Sequence, residues 1–286
     1  MSNPISSFGD FRDASTDKAK IVLIPVPFDK ACSWQKGAHK GPQAILDASP
    51  HLELYDIETD TEVYKHGIHT TVPLISDCSE DLFKAVKGKV SEIINQKQFP
   101  VIVGGDHSVS IGAVAAMAEK IKNLSVLQLD AHADMRDTYM GSRLNHACVM
   151  ARIKELCPLT QVGIRSMAIE ERKNMDLERV FFAHDIIGSD QWINKAVNTL
   201  SEKVYVTIDL DVFDIGIMPS TGTPEPGGLD WYLILKLLRE VAERKTIVGF
   251  DVVELCPSAN KASDFLAAKL IYKLLSYIWS RKWEEC

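Results

Sequence analysis

Acidic and imidazole side chains recur at every second residue in two short stretches of the chain. The first stretch is Asp130-Ala131-His132-Ala133-Asp134, and the second is Asp209-Leu210-Asp211. Each follows an apolar run, so an alternation with period two puts these side chains on one face of a strand or of its end. Carboxylates crowded at the end of a buried strand repel one another and lose hydration unless a cation lies among them. The pattern therefore predicts a bound metal ion.

A third stretch, Gly104-Gly105-Asp106-His107-Ser108, adds an imidazole upstream of both. The candidate ligand set is then four carboxylates and two imidazoles with no thiolate: His107, Asp130, His132, Asp134, Asp209 and Asp211. Such a hard, oxygen-rich set suits manganese better than zinc, although cobalt or iron could substitute. Six side chains are too many for one ion that must also bind water, and enough for two if a carboxylate bridges.

Paired ions roughly 3.5–4 Å apart are a recurrent hydrolytic device, because water held between them loses a proton near neutral pH. The set therefore predicts a hydrolase that binds two manganese ions. The alternative is that these aspartates cap helices and the histidines belong to ordinary loops. That alternative suits any one stretch alone, but three stretches that all lie at strand ends favour the metal centre.

Short β-branched runs alternate with longer amphipathic stretches along the chain. The strand candidates are residues 21–28, 100–105, 124–130, 160–165, 180–184, 204–211 and 246–254, with residues 52–56 a weaker eighth. The helix candidates include residues 80–96, 110–122, 146–156, 231–244 and 261–279. This order predicts an α/β fold with a parallel sheet covered on both faces, whose ligand site lies beyond the carboxyl ends of the strands. Since no linker interrupts the pattern, residues 1–286 are expected to form a single domain.

The composition limits the class of protein. The 286 residues are 46% hydrophobic and 25% charged, with a formal net charge of -7 and no basic cluster. This argues against nucleic acid or anionic membranes as partners, and weakly favours a small cationic ligand. There is no apolar run of membrane-spanning length and no signal-peptide pattern. The six cysteines lack paired spacing, which favours reduced thiols in a cytoplasmic protein: Cys32, Cys78, Cys148, Cys157, Cys256 and Cys286.

The three stretches, together with Thr221-Gly222-Thr223-Pro224-Glu225-Pro226-Gly227-Gly228, resemble the signatures of the ureohydrolase family of arginases and agmatinases. The resemblance runs from about Ile21 to the last helix. It implies a three-layer αβα sandwich with a central, mostly parallel eight-stranded sheet, residues 1–20 forming an extension on or near it. It also implies a binuclear manganese centre and a homo-oligomer, a trimer or a hexamer.

The resemblance further implies how the ligands are divided. One ion would be bound by His107, Asp130, Asp134 and Asp209, and the other by Asp130, His132, Asp209 and Asp211. Asp130 and Asp209 would then bridge the two ions. Asp134 is expected to have a catalytic as well as a ligand role.

Two residues outside the ligand set, Glu254 and His146, match the family as well. Glu254 would receive the substrate guanidinium, since a carboxylate holds this planar cation in bidentate fashion. His146 would shuttle protons or merely orient the substrate, because an imidazole near neutrality can do either. Thr223 would add a hydroxyl near the guanidinium, or serve only the turn. The alternative for Glu254 is a surface or helix-capping acid near Pro257. The alternative for His146 is a helix-start residue that only orients the substrate.

The substrate is harder to predict, because every family member has the same metal centre at the end of the site that receives the reacting group. The loop of residues 135–145 and the segment of residues 36–41 are expected to discriminate between substrates. Arg136 stands where arginases have an asparagine, and residues 146–150 and 161–166 are more similar to agmatinases. Agmatine is therefore the expected substrate. Arg136 could meet an anionic tail such as that of guanidinobutyrate, or pair with Asp137 or another acid of its own loop. Arginine and aminopropylagmatine remain alternatives.

Other classes of protein fit less well. Neither phosphate-binding glycine motif occurs, nor does the nucleophile elbow that a serine hydrolase built on Ser108 would need. A single-zinc deacetylase would not need Asp134 and Asp211. A catalytically silent regulatory homologue would usually have lost metal ligands, whereas all six candidates are present.

Overall fold

The structure is a computed structural model, and it describes residues 7–10, 18–30 and 33–280. Much of the predicted extension over residues 1–20 lies outside the described residues, as do Cys32 and Cys286. The four cysteines within them form no disulfide. Across the described ranges, no helix is both long and apolar enough to cross a membrane.

Eight strands form one sheet in the order β2-β1-β3-β8-β7-β4-β5-β6. The strands are β1 (Ile21–Val26), β2 (Ile68–Thr70), β3 (Phe99–Gly104), β4 (Leu124–Leu129), β5 (Leu159–Ile164), β6 (Val180–Phe182), β7 (Lys203–Asp209) and β8 (Thr246–Val253). Every pairing among them is parallel. The predicted α/β fold with an eight-stranded sheet is confirmed, and the pairing is more uniform than the expected mostly parallel arrangement.

Helices cover both faces of this sheet. They are α1 (Gly41–Ala48), α2 (Ser79–Asn95), α3 (Val109–Lys120), α4 (Val149–Lys154), α5 (Ala183–Ile186), α6 (Gln191–Thr199), α7 (Trp231–Arg244) and α8 (Ala262–Trp279). Successive residues of β1 enter opposite cores: Ile21 and Leu23 pack with α1, α6, α7 and α8, while Val22 and Ile24 pack with α2, α3 and α4. This is why β1, β3, β4 and β5 are buried along their whole length, and why the sequence shows them as continuous apolar runs.

Three predicted elements differ from the structure. The strand expected at residues 52–56 is wrong, because Asp56 there accepts backbone N–H bonds from Glu58 and Thr59 in a turn. The eighth strand is instead β2, whose three residues are too few to show a period. Strand β6 ends at Phe182, and residues 183–184 begin the short helix α5. The helix expected from residue 146 starts as a 3-10 turn, His146–Cys148, before α4.

Candidate metal centre and active site

The predicted ligands lie at the carboxyl ends of strands that are distant in sequence and adjacent in the sheet. Neighbours β3, β8, β7 and β4 end at or just before His107, Glu254, Asp209 and Asp130, respectively. Parallel neighbours lie about 4.8 Å apart, so their end residues form a row along one edge. The sheet order, which the sequence does not state, is what brings these side chains together.

The first ligand group surrounds the imidazole of His107. Its Nδ1 atom lies 3.1 Å from Asp130 Oδ2, 3.2 Å from Asp134 Oδ2 and 3.5 Å from Asp209 Oδ2. Nevertheless, this buried nitrogen has no hydrogen bond of acceptable geometry. Donor atoms that share a cation at roughly 2.1 Å also lie about 3 Å from one another, so the spacing fits a bound metal ion.

A relay on the other side of the ring fixes the tautomer of His107. Its Nε2 lies 2.8 Å from Thr207 Oγ1, and Thr207 in turn donates its hydroxyl proton to Asp251 Oδ1 at 2.5 Å. Because Thr207 has only one proton to donate, it accepts from Nε2–H of His107. The Nδ1 lone pair then faces the carboxylates, as a metal ligand should. Tyr205 donates to the second oxygen of Asp251 at 2.8 Å and holds the relay in place.

The second ligand group shares one residue with the first. His132 Nδ1 lies 2.8 Å from Asp211 Oδ2 and 3.7 Å from Asp130 Oδ1. The ligand atoms of Asp130, His132 and Asp211 all lie within 4.8 Å of one another, as do those of His107, Asp130 and Asp134. Asp130 therefore belongs to both groups. Asp209 turns one oxygen to His107, and its Oδ1 accepts the N–H of Asp211 at 2.9 Å.

The chain leaves the charge of Asp130 and Asp209 unbalanced, whereas His132 outweighs burial and lowers the pKa of Asp211. Burial and the charges of Asp211 and Asp134 raise the pKa of Asp130 to about 7. Burial and the charges of Asp211 and Asp130 also raise the pKa of Asp209 well above its usual value. Burial alone would lower the pKa of His132, yet the surrounding carboxylates, Asp211 foremost, raise it to about 11. The cluster thus favours positive charge wherever it can be placed, which is what bound divalent cations would supply.

Two buried amides and one arginine hold the predicted ligands. Residues 161–166 were predicted only to resemble agmatinases, and none of the three residues was given a role at the site. Gln128 donates to Asp130 Oδ2 at 2.7 Å and is itself held by Gln161, whose amide donates to Gln128 Oε1 at 2.7 Å. Arg165 donates to the backbone carbonyls of Asp211 and Glu225 and so joins the second stretch, Asp209-Leu210-Asp211, to the turn that follows it. The available signal was a polar residue inside an otherwise apolar strand, as at Gln128 and Gln161.

A cavity of about 310 Å³ opens beside the cluster. Its wall includes the predicted residues His107, His132, Asp134, Arg136, His146, Asp209, Thr223 and Glu254, together with Asp29, Ser33, Asp106, Tyr139 and Glu171. The segment of residues 36–41, expected to discriminate between substrates, contributes nothing to this wall. Asp29 and Ser33, just upstream of it, take that place.

Glu254 is held in an unusual conformation at the floor of the cavity. Its φ of 66° is uncommon outside glycine, and its N–H donates to Gly105 O at 2.8 Å. One carboxylate oxygen accepts the N–H of His107 at 2.8 Å, and a side chain at Gly222 would lie 3.5 Å from the other. Burial, followed by the charge of Asp106, raises the pKa of Glu254 well above its usual value. Strain of this kind is often found where a carboxylate must face a ligand.

His146 also lines the cavity, within reach of a ligand there. Its Nε2 lies 2.9 Å from Ser33 Oγ, and its ring meets that of Tyr139 edge-on at 5.7 Å. Burial lowers its pKa, and the charges of His107 and His132 add to this lowering. Its Nδ1 is buried without a hydrogen-bond partner among the described residues. A neutral imidazole with a free ring nitrogen can accept or return a proton.

Arg136 does not pair as expected. Its Nη1 lies 3.3 Å from Glu170 and its Nε 3.8 Å from Glu171, which belong to a separate 3-10 segment, Ile169–Asn174. The expected partner Asp137 contacts Arg143 and Arg152 instead. Arg136 is therefore neutralised by two acids and lies 5.1 Å from the Tyr139 ring, which leaves it poorly placed to bind an anionic tail.

Comparison with known proteins agrees with this geometry. Residues 19–276 match the model of the arginase family. The N(1)-aminopropylagmatine ureohydrolase of Synechocystis sp. is 39% identical, over 96% of this chain and 92% of its own. The agmatinase of Pyrococcus horikoshii is 34% identical, over 90% and 91%. Among solved structures, the agmatine ureohydrolase of Thermoplasma volcanium superposes with a TM-score of 0.89 at 30% identity, over 99% of this chain and 97% of its own.

Proposed function

The chain belongs to the arginase family, whose members related to it are hydrolases of guanidino groups, and on that premise we propose that it converts agmatine to putrescine and urea. The observation that carries this proposal is the cavity wall. Acids dominate it, and its one arginine, Arg136, is already bound by Glu170 and Glu171. A substrate with a cationic tail suits such a wall, whereas the carboxylates of arginine and guanidinobutyrate do not.

N(1)-aminopropylagmatine is a second candidate substrate, because the Synechocystis relative is named for it. It differs from agmatine by a cationic extension at the end away from the guanidino group. The same metal end and the same acidic wall suit both compounds. The extent of the cavity beyond Tyr139 and Glu171 would then decide between them.

We infer that two manganese ions are the resident cofactor, held by the two groups that share Asp130. The hard oxygen and imidazole donors and their spacing around His107 Nδ1 support this inference. When bound, such ions would polarise the guanidino group of the substrate and lower the pKa of the water that they coordinate. Asp209 is proposed as the second shared ligand, and Asp134, which lines the cavity, as a ligand that also contacts the reacting atoms.

The remaining residues bind the substrate and move protons. Glu254 Oε2 would accept two guanidinium N–H bonds and hold the planar cation against the ligand cluster. His146, neutral at rest, would first accept a proton at its unengaged Nδ1 and would then return that proton to the departing amine. Thr223 would contribute one hydroxyl hydrogen bond at the guanidinium.

A homo-oligomer and a single domain are also proposed. Light scattering would test the first and limited proteolysis the second; a monomer in solution would contradict the homo-oligomer.

Urea release by the manganese-loaded protein tests this function on agmatine, N(1)-aminopropylagmatine, arginine and guanidinobutyrate in parallel. We expect turnover of one or both cationic substrates and little of the two carboxylates. Glu254→Gln is the matched control, because it should retain the metal ions yet lose most turnover. Silence of the loaded wild-type protein on all four compounds would contradict the proposal and favour a silent homologue.

A further inference from the structure

Two buried carboxylates of the cavity wall have no part in the chemistry proposed above. Asp29 follows β1 and Asp106 follows β3, and both line the cavity. Each is only 2% exposed, Asp29 as a side chain and Asp106 as a residue. Oδ1 of Asp29 and Oδ2 of Asp106 are buried with no hydrogen-bond partner among the described residues. Burying such an oxygen costs free energy unless a ligand donates a hydrogen bond or a positive charge to it.

The other oxygen of each carboxylate is tied to the backbone. Asp29 Oδ2 accepts the N–H of Gly37 at 2.7 Å, and Asp106 Oδ1 accepts the N–H of Ser108 at 3.0 Å. These bonds fix the orientation of both groups, so neither can rotate its free oxygen out to solvent without breaking a bond. The free oxygens are therefore preorganised for a partner in the cavity.

The two carboxylates lie on adjoining segments. Asp106 donates its N–H to Phe28 O at 2.7 Å. A side chain at Gly105 would come within 1.9 Å of that same carbonyl, so only glycine permits the approach. The half-exposed His39 contacts Asp29 through Oδ2, with its Nδ1 at 3.4 Å, so the free oxygens Asp29 Oδ1 and Asp106 Oδ2 are left without a positive partner among the described residues.

A cation bound by this pair would lie outside both metal groups. Strand β1 is one place further along the sheet than β3, away from β7 and β4, which supply most of the metal ligands. Asp29 shares its stretch of wall with Ser33 and His146. The cavity therefore has one part that is lined by the predicted metal ligands. Beside it lies a second acidic part, whose carboxylates belong to neither ligand group.

We propose that Asp29 Oδ1 and Asp106 Oδ2 bind the second cationic nitrogen of the substrate, the ammonium remote from the guanidino group. This rests on the proposed function and deepens it by naming the residues that select a dication over a guanidino compound with a neutral or anionic tail. Among the described residues of the wall no lysine competes for this pair, and Arg136 is engaged elsewhere.

Asp29→Asn tests the proposal with three substrates of the same length: agmatine, butylguanidine, which lacks the ammonium, and guanidinobutyrate. The amide oxygen can keep the Gly37 bond, which places the amide NH2 where Oδ1 now faces the cavity. We expect kcat/KM for agmatine to fall roughly 10–100-fold, mainly through KM, since a hydrogen bond to a charged group is lost. Butylguanidine should be hydrolysed as by wild type, and guanidinobutyrate somewhat better.

Asp77→Asn is the control for the change in net charge, because Asp77 is fully exposed and paired only with Lys30 on the surface. Binding of putrescine, measured by calorimetry, should weaken in Asp29→Asn and not in Asp77→Asn. An equal loss on agmatine and butylguanidine would overturn the proposal, because it would place Asp29 at the guanidinium or in the structure.

Wild-type protein alone also decides the matter if the variant does not fold. Parity of its kcat/KM for agmatine and butylguanidine would overturn the proposal while leaving the guanidino hydrolase intact. Inactivity of wild type on every guanidino compound would instead contradict the proposed function, so the two failures are distinguishable.

Discussion

Two acidic clusters in this protein, each built on a buried aspartate, differ in how their charge is balanced. On the α8 side of the sheet, Asp56 is 2% exposed and Glu58 lies beside it, and the Lys273 ammonium contacts them at 3.0 and 2.6 Å. At the strand ends, Asp130 and Asp209 are equally buried, yet only imidazoles lie among them. We call the first the lysine cluster and the second the ligand cluster.

The pKa values of the lysine cluster shift in the opposite direction from those of Asp130 and Asp209. Asp211, which pairs with His132 in the ligand cluster, instead has a lowered pKa. Burial raises the pKa of Asp56, but the Thr59 N–H and Lys273 outweigh it, so the net pKa is lowered. The pKa of Glu58 is lowered too, because Lys273 and Tyr277 outweigh burial. In the ligand cluster the pKa of Asp130 is raised. Burial alone does not mark a functional acid; a buried acid that the chain leaves unbalanced does.

Asp209→Asn should have the largest effect. Loss of a proposed shared ligand should lower urea release roughly a thousandfold or more, because the ions supply several kcal/mol of transition-state stabilisation. Bound manganese, measured by elemental analysis after dialysis, should fall in parallel. In chelator-treated protein the same change should raise Tm, since one unbalanced buried charge is removed. Retention of full activity would contradict the assignment of Asp209 as a ligand.

Lys273→Met should have the opposite signature. It leaves Asp56 buried without its cation, which should lower the free energy of unfolding by roughly 3 kcal/mol. Chemical denaturation measures this loss, and Lys269→Met, on the same helix, serves as the control. The KM and kcat of the surviving folded protein should not change. A change in KM would mean that the two clusters are coupled and that the distinction between them fails.

Asp251→Asn should weaken manganese binding about 10–100-fold without removing a ligand. Its oxygen accepts from Thr207, which orients His107, so the amide would let Thr207 turn its proton toward the imidazole. Competition with a fluorescent chelator measures the affinity, and Asp230→Asn, at the start of α7, is the control. Unchanged affinity would show that the relay does not orient the ligand.

The pH dependence of the lysine cluster should be the smallest effect. The folded-state pKa values of Asp56 and Glu58 lie below their unfolded values of about 4. Their stabilisation is therefore present above pH 4 and is lost as the pH falls through the folded values. The difference in unfolding free energy between wild type and Lys273→Met should shrink below pH 4. A difference that grows there would reverse the sign of the argument.

The sequence predicted the parts of the site that follow from local pattern. Alternation after apolar runs located Asp130, His132, Asp134 and Asp211, and strand order along the chain indicated a parallel sheet. Strand β2 was not predicted, because three residues are too few to show the alternation of apolar and polar residues that marks a strand. No role was predicted for Asp29, although it too is an acid just past a strand. Its partner Asp106 follows a strand seventy-odd residues away, so their proximity cannot be read from local pattern. Thr207 and Asp251 meet only through neighbouring strands.

The most direct test is the number of manganese ions bound per chain, measured by equilibrium dialysis of metal-free wild type while urea release from agmatine is followed. Two ligand groups that share Asp130 predict two ions per chain, with activity rising as both are filled. A folded protein that binds no manganese, or that reaches full activity without it, would contradict the account.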